Sequence, residues 1–196
     1  MKEYICEISE LNFDSVLAKI IDINGQSREL PIKVYLYQGL AKGDKMENII
    51  QKNVELGVYK IVPVFSERCV VKPGKDSKID RWQKIALEAA RQSGRGIIPE
   101  VASPMSFMEA LKDADDKALK LFPWEEEHGQ TLKHVIDGTT FDSAAVFIGP
   151  EGGFSEDEAQ SAKDAGLSLV TLGRRILRTE TAGPAVLAML LYHNEL

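Results

Sequence analysis

Beginning at Ile32, strand-like and helix-like segments alternate, and this alternation restricts the fold more than any other feature of the chain. The run "IKVYLYQ" is apolar and β-branched; "DKMENIIQKNVELG" follows with a helical period, and "YKIVPVF" returns to strand character. Asp44 and Glu47 have the spacing of a capping box, with Asp in place of Ser or Thr, and Gly57 suits the position just past a helix end. The pattern continues through the helix "SKIDRWQKIALEAARQSG", the strand "IIPEV", a helix around "MSFMEALKDA" and the strand "KALKLFPW". It closes with the strand "AAVFI", the helix "SEDEAQSAKDAG", the strand "LSLVTL" and the helix "AGPAVLAMLLYH". Strands that alternate with helices predict an α/β domain with a mainly parallel sheet, covering residues 31–196. The first 30 residues hold only two short strands, "YICEI" and "SVLAKIID", too few to be stable alone, and read as a piece of a small β domain.

A chain of 196 residues can bury a substantial core. No stretch approaches the roughly 18 consecutive apolar residues of a membrane span, and "MKEYICEISELNF" lacks the apolar centre and cleavage site of a signal peptide. Cys6 and Cys69 form no CxxC pair, which fits buried thiols in a reducing cytoplasm. The net charge of -6 argues against general nucleic-acid affinity, yet Arg68 to Arg95 holds eight basic residues against three acidic ones. In the helix there, Ile79, Trp82, Ala86 and Ala89 fall on one face and Arg81, Lys84, Arg91 and Arg95 on the other. The apolar face belongs in a core; the basic face is left for solvent or a partner.

The loop "GPEGG", Gly149 to Gly153, follows a strand and precedes a helix whose Ser155 and Glu158 form a capping box. In open α/β sheets ligands bind beyond the carboxyl ends of the strands. The loop is neither a P-loop nor GxGxxG. Pro150 removes an N–H donor and Glu151 adds a negative charge, so a ligand meeting it should be neutral or cationic rather than a phosphate. S-adenosylmethionine fits that description. A tight strand-to-helix turn with no ligand would also use such glycines. The second loop, "LGRRILRTETAG", places Arg174, Arg175 and Arg178 before a helix start; buried guanidinium groups are costly, so they should face solvent, a carboxylate or a nucleic-acid backbone. His128, His134 and His193 lack metal-ligand spacing, and no metal is expected.

Together, "FIGPEGGFSEDE" and "LGRRILRTETA" resemble the ribosomal RNA small-subunit methyltransferase E family of the SPOUT superfamily. The resemblance extends in order through "KMENIIQKNVELGV", "SERCVVK" and "RWQKIALEAARQSGR" followed by "IP", roughly from Pro31 to the C-terminus. It implies a C-terminal trefoil knot, a homodimer, S-adenosylmethionine as cofactor, and methylation of N3 of one uridine in 16S ribosomal RNA. It also implies a cofactor site formed by Ile148, Gly149, Pro150, Glu151, Gly152 and Gly153, by Leu172, Gly173, Ile176 and Leu177, and by a third wall around Glu126. Arg68, Gln92 and Arg95 match further motif positions and are candidates for the substrate side. The family begins with a PUA-like RNA-binding barrel, of which residues 1–30 resemble the last strands only.

Methyl transfer to uridine N3 requires alignment of two atoms and stabilisation of the charge that spreads onto the neighbouring carbonyl oxygens. Arg175 or Arg178 is the expected stabiliser, with Arg95 next; Glu151 is a candidate base or an anchor for the cofactor's amino group. The RNA backbone is expected to meet Arg68, Lys72, Arg81, Lys84, Arg91 and Gln92. The helix "AGPAVLAMLLYH", apolar on most of its circumference, independently suggests a homodimer. Two other readings fit the residues: a SPOUT-fold RNA-binding protein without turnover, and a nucleotide-dependent enzyme of another class.

Overall fold

The computed structural model describes residues 3–25, 29–70 and 77–195. Strands β3 (Lys33–Gly39), β4 (Lys60–Phe65), β5 (Glu100–Val101), β6 (Met105–Ser106), β7 (Leu119–Pro123), β8 (Ser143–Ile148) and β9 (Ser168–Val170) form one sheet in the order β5-β4-β3-β8-β7-β9, with β6 also on β4. Every pairing in it is parallel. The expected mainly parallel α/β sheet is therefore observed.

Both faces of the sheet are covered, as parallel sheets require. Along β3 and β8 successive side chains alternate between two cores. Val34, Leu36, Ala144, Val146 and Ile148 meet helices α1 (Lys45–Glu55), α2 (Ser77–Gln92) and α6 (Thr179–Glu195) through Ile49, Val54, Trp82, Ala86 and Leu187. Tyr37, Ala145 and Phe147 point the other way, to α3 (Phe107–Asp113) and α5 (Glu156–Asp164). There Tyr37 stacks on Phe147 at 4.5 Å and its hydroxyl donates to Asp113 Oδ2 at 2.7 Å. Burial, together with the Asp113 carboxylate, pushes that phenol far above its ordinary range. Central side chains such as Leu36 and Leu121 are fully buried, and truncating one to alanine costs about 2–5 kcal/mol.

Around two helices the structure differs from the sequence reading. Asp44 does not close a capping box, because its backbone is helical rather than extended and its side chain makes no cap bond. Its carbonyl instead accepts from Glu47 and Asn48 N–H, while the Glu47 carboxylate pairs with Arg81 of α2 at 2.7 Å. A short helix, α4 (Leu132–Ile136), was not foreseen; Thr131 caps it and Leu132 and Ile136 bury its inner face. Five residues carry too little periodicity to be read from a pattern.

Strands β1 (Glu3–Leu11) and β2 (Val16–Asn24) form an antiparallel hairpin that pairs within itself. Ten large apolar residues on it, from Tyr4 to Ile23, are at least half exposed. Cys6 is exposed here and Cys69 half-buried, so neither thiol is sequestered as expected. Among the described residues no helix is long and apolar enough to cross a membrane.

Candidate functional site

Because the main-sheet strands are parallel, the loops after β7, β8 and β9 converge at one edge. They enclose a cleft of about 570 Å³, within the range of small-ligand sites. Its first wall is the glycine loop. Ile148 ends β8, Pro150 packs so closely on the end of β3 that a Cβ on Gly39 would lie 2.5 Å from Pro150 Cδ, and Gly153 turns with φ +68°. A side chain on Gly153 would collide with the Glu125 carboxylate. The capping box at α5 is present: Ser155 Oγ accepts from Glu158 N–H and Glu158 Oε2 from Ser155 N–H. Glu158 Oε1 also accepts from Glu67 N–H at 2.8 Å, tying the loop after β4 to this corner.

The second wall runs from Thr171 to Arg178, with Leu172, Gly173, Ile176 and Leu177 facing the cleft beside Arg174, Arg175 and Arg178. Gly173, at φ +115°, has open space where a side chain would stand. The third wall is the segment after β7: Thr171 N–H donates to Gln130 O and Leu132 N–H to Thr171 O, which binds it to the second. Pro123, Trp124, Glu125 and His128 of this segment line the cleft. Glu126 does not; it is exposed beside Glu127, whose carboxylate is held below its usual range by the N–H groups of Gln130 and Gly129.

One buried hydroxyl joins the walls. Thr179 opens α6, donates to Gly149 O at 2.6 Å and accepts from Gln38 Nε2 of β3 at 2.9 Å. Neither Thr179 nor Gln38 was singled out in the sequence; a threonine at a helix start reads as ordinary capping.

Glu151 departs from its expected roles. Its carboxylate accepts from Lys42 N–H at 3.1 Å and pairs with Lys45 at 3.0 Å. Burial alone would raise it, but the Lys45 hydrogen bond and charge and the backbone N–H groups outweigh burial and hold it below the ordinary carboxylate range. A carboxylate so stabilised is a weak base and is already engaged by an ammonium group. Gly152 also turns away from the cleft. Its carbonyl accepts from Arg68 at 3.2 Å, and a Cβ there would sit 3.1 Å from Arg68 Cβ.

The cleft suits a nucleoside without phosphates. Pro123, Trp124, Ile148, Leu172, Ile176 and Leu177 offer apolar surface for a base. The glycine loop has few donors for a phosphate, since Pro150 has no N–H, Gly153 N–H bonds Pro150 O and Ser155 N–H bonds Glu158. Trp124, which lines the cleft, keeps its indole N–H buried without a partner, an orphan that an acceptor on a bound ligand could satisfy. Among the described residues no cluster of three His, Cys, Asp or Glu side chains is placed to hold a metal ion.

The model of the RNA methyltransferase domain family matches residues 28–191. Ribosomal RNA small subunit methyltransferase E of Bacillus subtilis is 38% identical over 97% of this chain and 78% of its own length. The chain belongs to the ribosomal RNA small subunit methyltransferase E family. Another member, from Mesomycoplasma hyopneumoniae, is 36% identical over 84% of this chain and 72% of its own. The crystal structure of the Neisseria gonorrhoeae methyltransferase E, bound to S-adenosyl methionine, superposes with a TM-score of 0.85 at 36% identity, covering 96% of this chain and 78% of that one. The chain thus has the fold of that methyltransferase, with the mainly parallel sheet expected from the sequence.

Within a methyltransferase E frame, the residues expected on the substrate side scatter. Lys84, Arg91 and Gln92 are exposed on α2. Arg81 is exposed but paired with Glu47, and Arg68 is turned onto the glycine loop. Lys72 lies outside the described residues. Arg95, expected near the chemistry, is a structural group instead. Its side chain is 6% exposed, pairs with Glu29 at 2.6 Å and donates to the carbonyls of Val54, in the last turn of α1, and of Val58, just beyond it. A cation is favoured at the carboxyl end of a helix, and the sequence spacing alone could not distinguish this use from a catalytic one.

Proposed function

We propose that this chain is an S-adenosylmethionine-dependent methyltransferase that modifies N3 of a uridine in 16S ribosomal RNA, working in the cytoplasm as a homodimer. The observation that carries the reading is the joining of the glycine loop and the arginine loop at one cleft by Thr179. A site for a phosphate-free nucleoside then lies directly beside three exposed cations. Trp124, Glu125, the glycine loop at Gly149, Pro150 and Gly153, and Leu172 to Leu177 are the residues that would hold the cofactor. When bound, S-adenosylmethionine supplies an electrophilic methyl group on sulfonium.

The rest of the chemistry falls to the chain. The glycine loop and the segment after β9 fix the cofactor's position, and fixed near-attack geometry can supply roughly 7–11 kcal/mol of the barrier. Arg175 and Arg178 line the cleft from an exposed segment, where either can face the uracil carbonyl oxygens and stabilise the charge that develops as N3 gives up its proton to solvent water. Lys84 and Arg91 offer positive charge for the RNA backbone.

The test uses small subunits lacking the modification, incubated with the protein and S-adenosylmethionine. Nucleoside mass spectrometry should find 3-methyluridine at a single 16S position. Methyl groups on another atom or on no RNA would overturn the reading, and RNA binding without transfer would favour the alternative of an RNA-binding protein of the same fold.

A further inference from the structure

A second polar atom on the cleft wall lies shut off from solvent without a partner: Oε2 of Glu180. Unlike the Trp124 indole, it belongs to an acid that is half-buried, and a carboxylate oxygen left without a partner is more costly than a neutral group in the same position. No cation among the described residues forms an ion pair with it, although Arg174, Arg175 and Arg178 immediately precede it. Its place as the second residue of α6 compensates part of the charge through the helix dipole and leaves the oxygen unbonded.

The other acids of the cleft are disposed differently. Glu151 is neutralised by Lys45, and Glu125 is exposed at the rim over Gly153. Glu180 is thus the half-buried cleft acid that has no ion-pair partner among the described residues and keeps one oxygen, Oε2, buried and unbonded. A hydroxyl could bond its orphan oxygen but would leave the charge uncancelled; an ammonium group does both.

We propose that the Glu180 carboxylate receives the α-ammonium group of the cofactor's amino-acid end, the role for which Glu151 is already occupied. The assignment rests on the proposed S-adenosylmethionine site and adds to it the group that recognises the amino acid. The adenine and ribose are then left to the apolar wall, the backbone and Trp124.

Calorimetry on the full chain tests this with two ligands, S-adenosylhomocysteine and its deaminated analogue, on the unaltered protein and on Glu180→Gln. The unaltered protein should bind the deaminated ligand about 10- to 100-fold more weakly, the range of a charged hydrogen bond, and Glu180→Gln should hold both ligands with nearly equal, weakened affinity. Such a cycle isolates the coupling between the side chain and the amino group. If the variant retains the full preference for the amino ligand, or loses affinity for both ligands by the same factor, the assignment is wrong. Should the variant fail to fold, the unaltered protein still decides, because indifference to the amino group overturns the proposal by itself. Failure of either ligand to bind the unaltered chain would instead remove the cofactor reading on which this one stands.

Discussion

Thr179 shows how much of the site depends on a single atom. Its hydroxyl is buried, and both groups that it joins, Gly149 O and Gln38 Nε2, belong to other segments. Thr179→Val keeps the shape and leaves those two groups short of a partner, which should cost about 2–4 kcal/mol in denaturant unfolding and weaken S-adenosylmethionine binding; Thr179→Ser should recover most of both. Equal stability of the valine and threonine forms would show that the hydroxyl is not a tie. At this scale the sequence was informative wherever backbone conformation dictates residue type. Gly153 and Gly173 take φ values that other residues rarely adopt, and they could be placed in loops from pattern alone. It was silent wherever a side chain's role depends on a partner far along the chain. Glu151 reads as a cleft anion until Lys45 is brought to it, and Arg95 reads as an available cation until Glu29 and the end of α1 enclose it.

The elements themselves were largely legible, since alternating β and α patterns survive in any parallel sheet; α2 buries Trp82, Ala86 and Ala89 as its period requires. What was not legible is the use of its other face. Arg81 reaches across to α1, whereas Lys84 and Arg91 stay open. Replacing Lys84 and Arg91 together with alanine should weaken RNA binding and flatten its salt dependence by about one unit per lost phosphate contact, and an unaltered slope in filter binding would make this face plain surface. At the far end of the same helix pair, the Glu29–Arg95 bridge makes stability depend on pH. Burial works to raise the Glu29 carboxyl, but the Arg95 hydrogen bonds and charge and the N–H groups of Ile97 and Gly96 outweigh it and hold the folded pKa below the unfolded one. A depressed folded pKa contributes stability that is present above the unfolded value, about 4.3, and is lost as pH falls through the folded value. Glu29→Gln should therefore cost about 2–4 kcal/mol at pH 7 and progressively less below pH ~4, as read from urea midpoints across that range. A constant difference between the two proteins would mean that the carboxylate's charge is not what holds this corner.

For the molecule as a whole, the β1–β2 hairpin and the outer face of α6 present apolar side chains that the described residues leave uncovered. On α6 Met189 is 41% and Tyr192 72% exposed, one turn apart, consistent with burial in the proposed homodimer. Light scattering at micromolar concentration should give the mass of two chains, and Met189→Glu with Tyr192→Glu should give that of one; a monomer in the unaltered protein would reject the dimer. The order of the strands has a further consequence, for the time the chain takes to become itself. β3, the middle of the sheet, finds its neighbour β8 only when Lys33 meets Ser143, so the centre cannot close until most of the chain has been synthesised. At ~5–20 residues per second the delay is on the order of ten seconds. Val34 and Leu36, later wholly buried, wait through it in contact with water, and the hairpin that precedes them emerges earlier still. Such a nascent chain is one that chaperones should meet often, and refolding from denaturant should lose yield steeply as protein concentration rises.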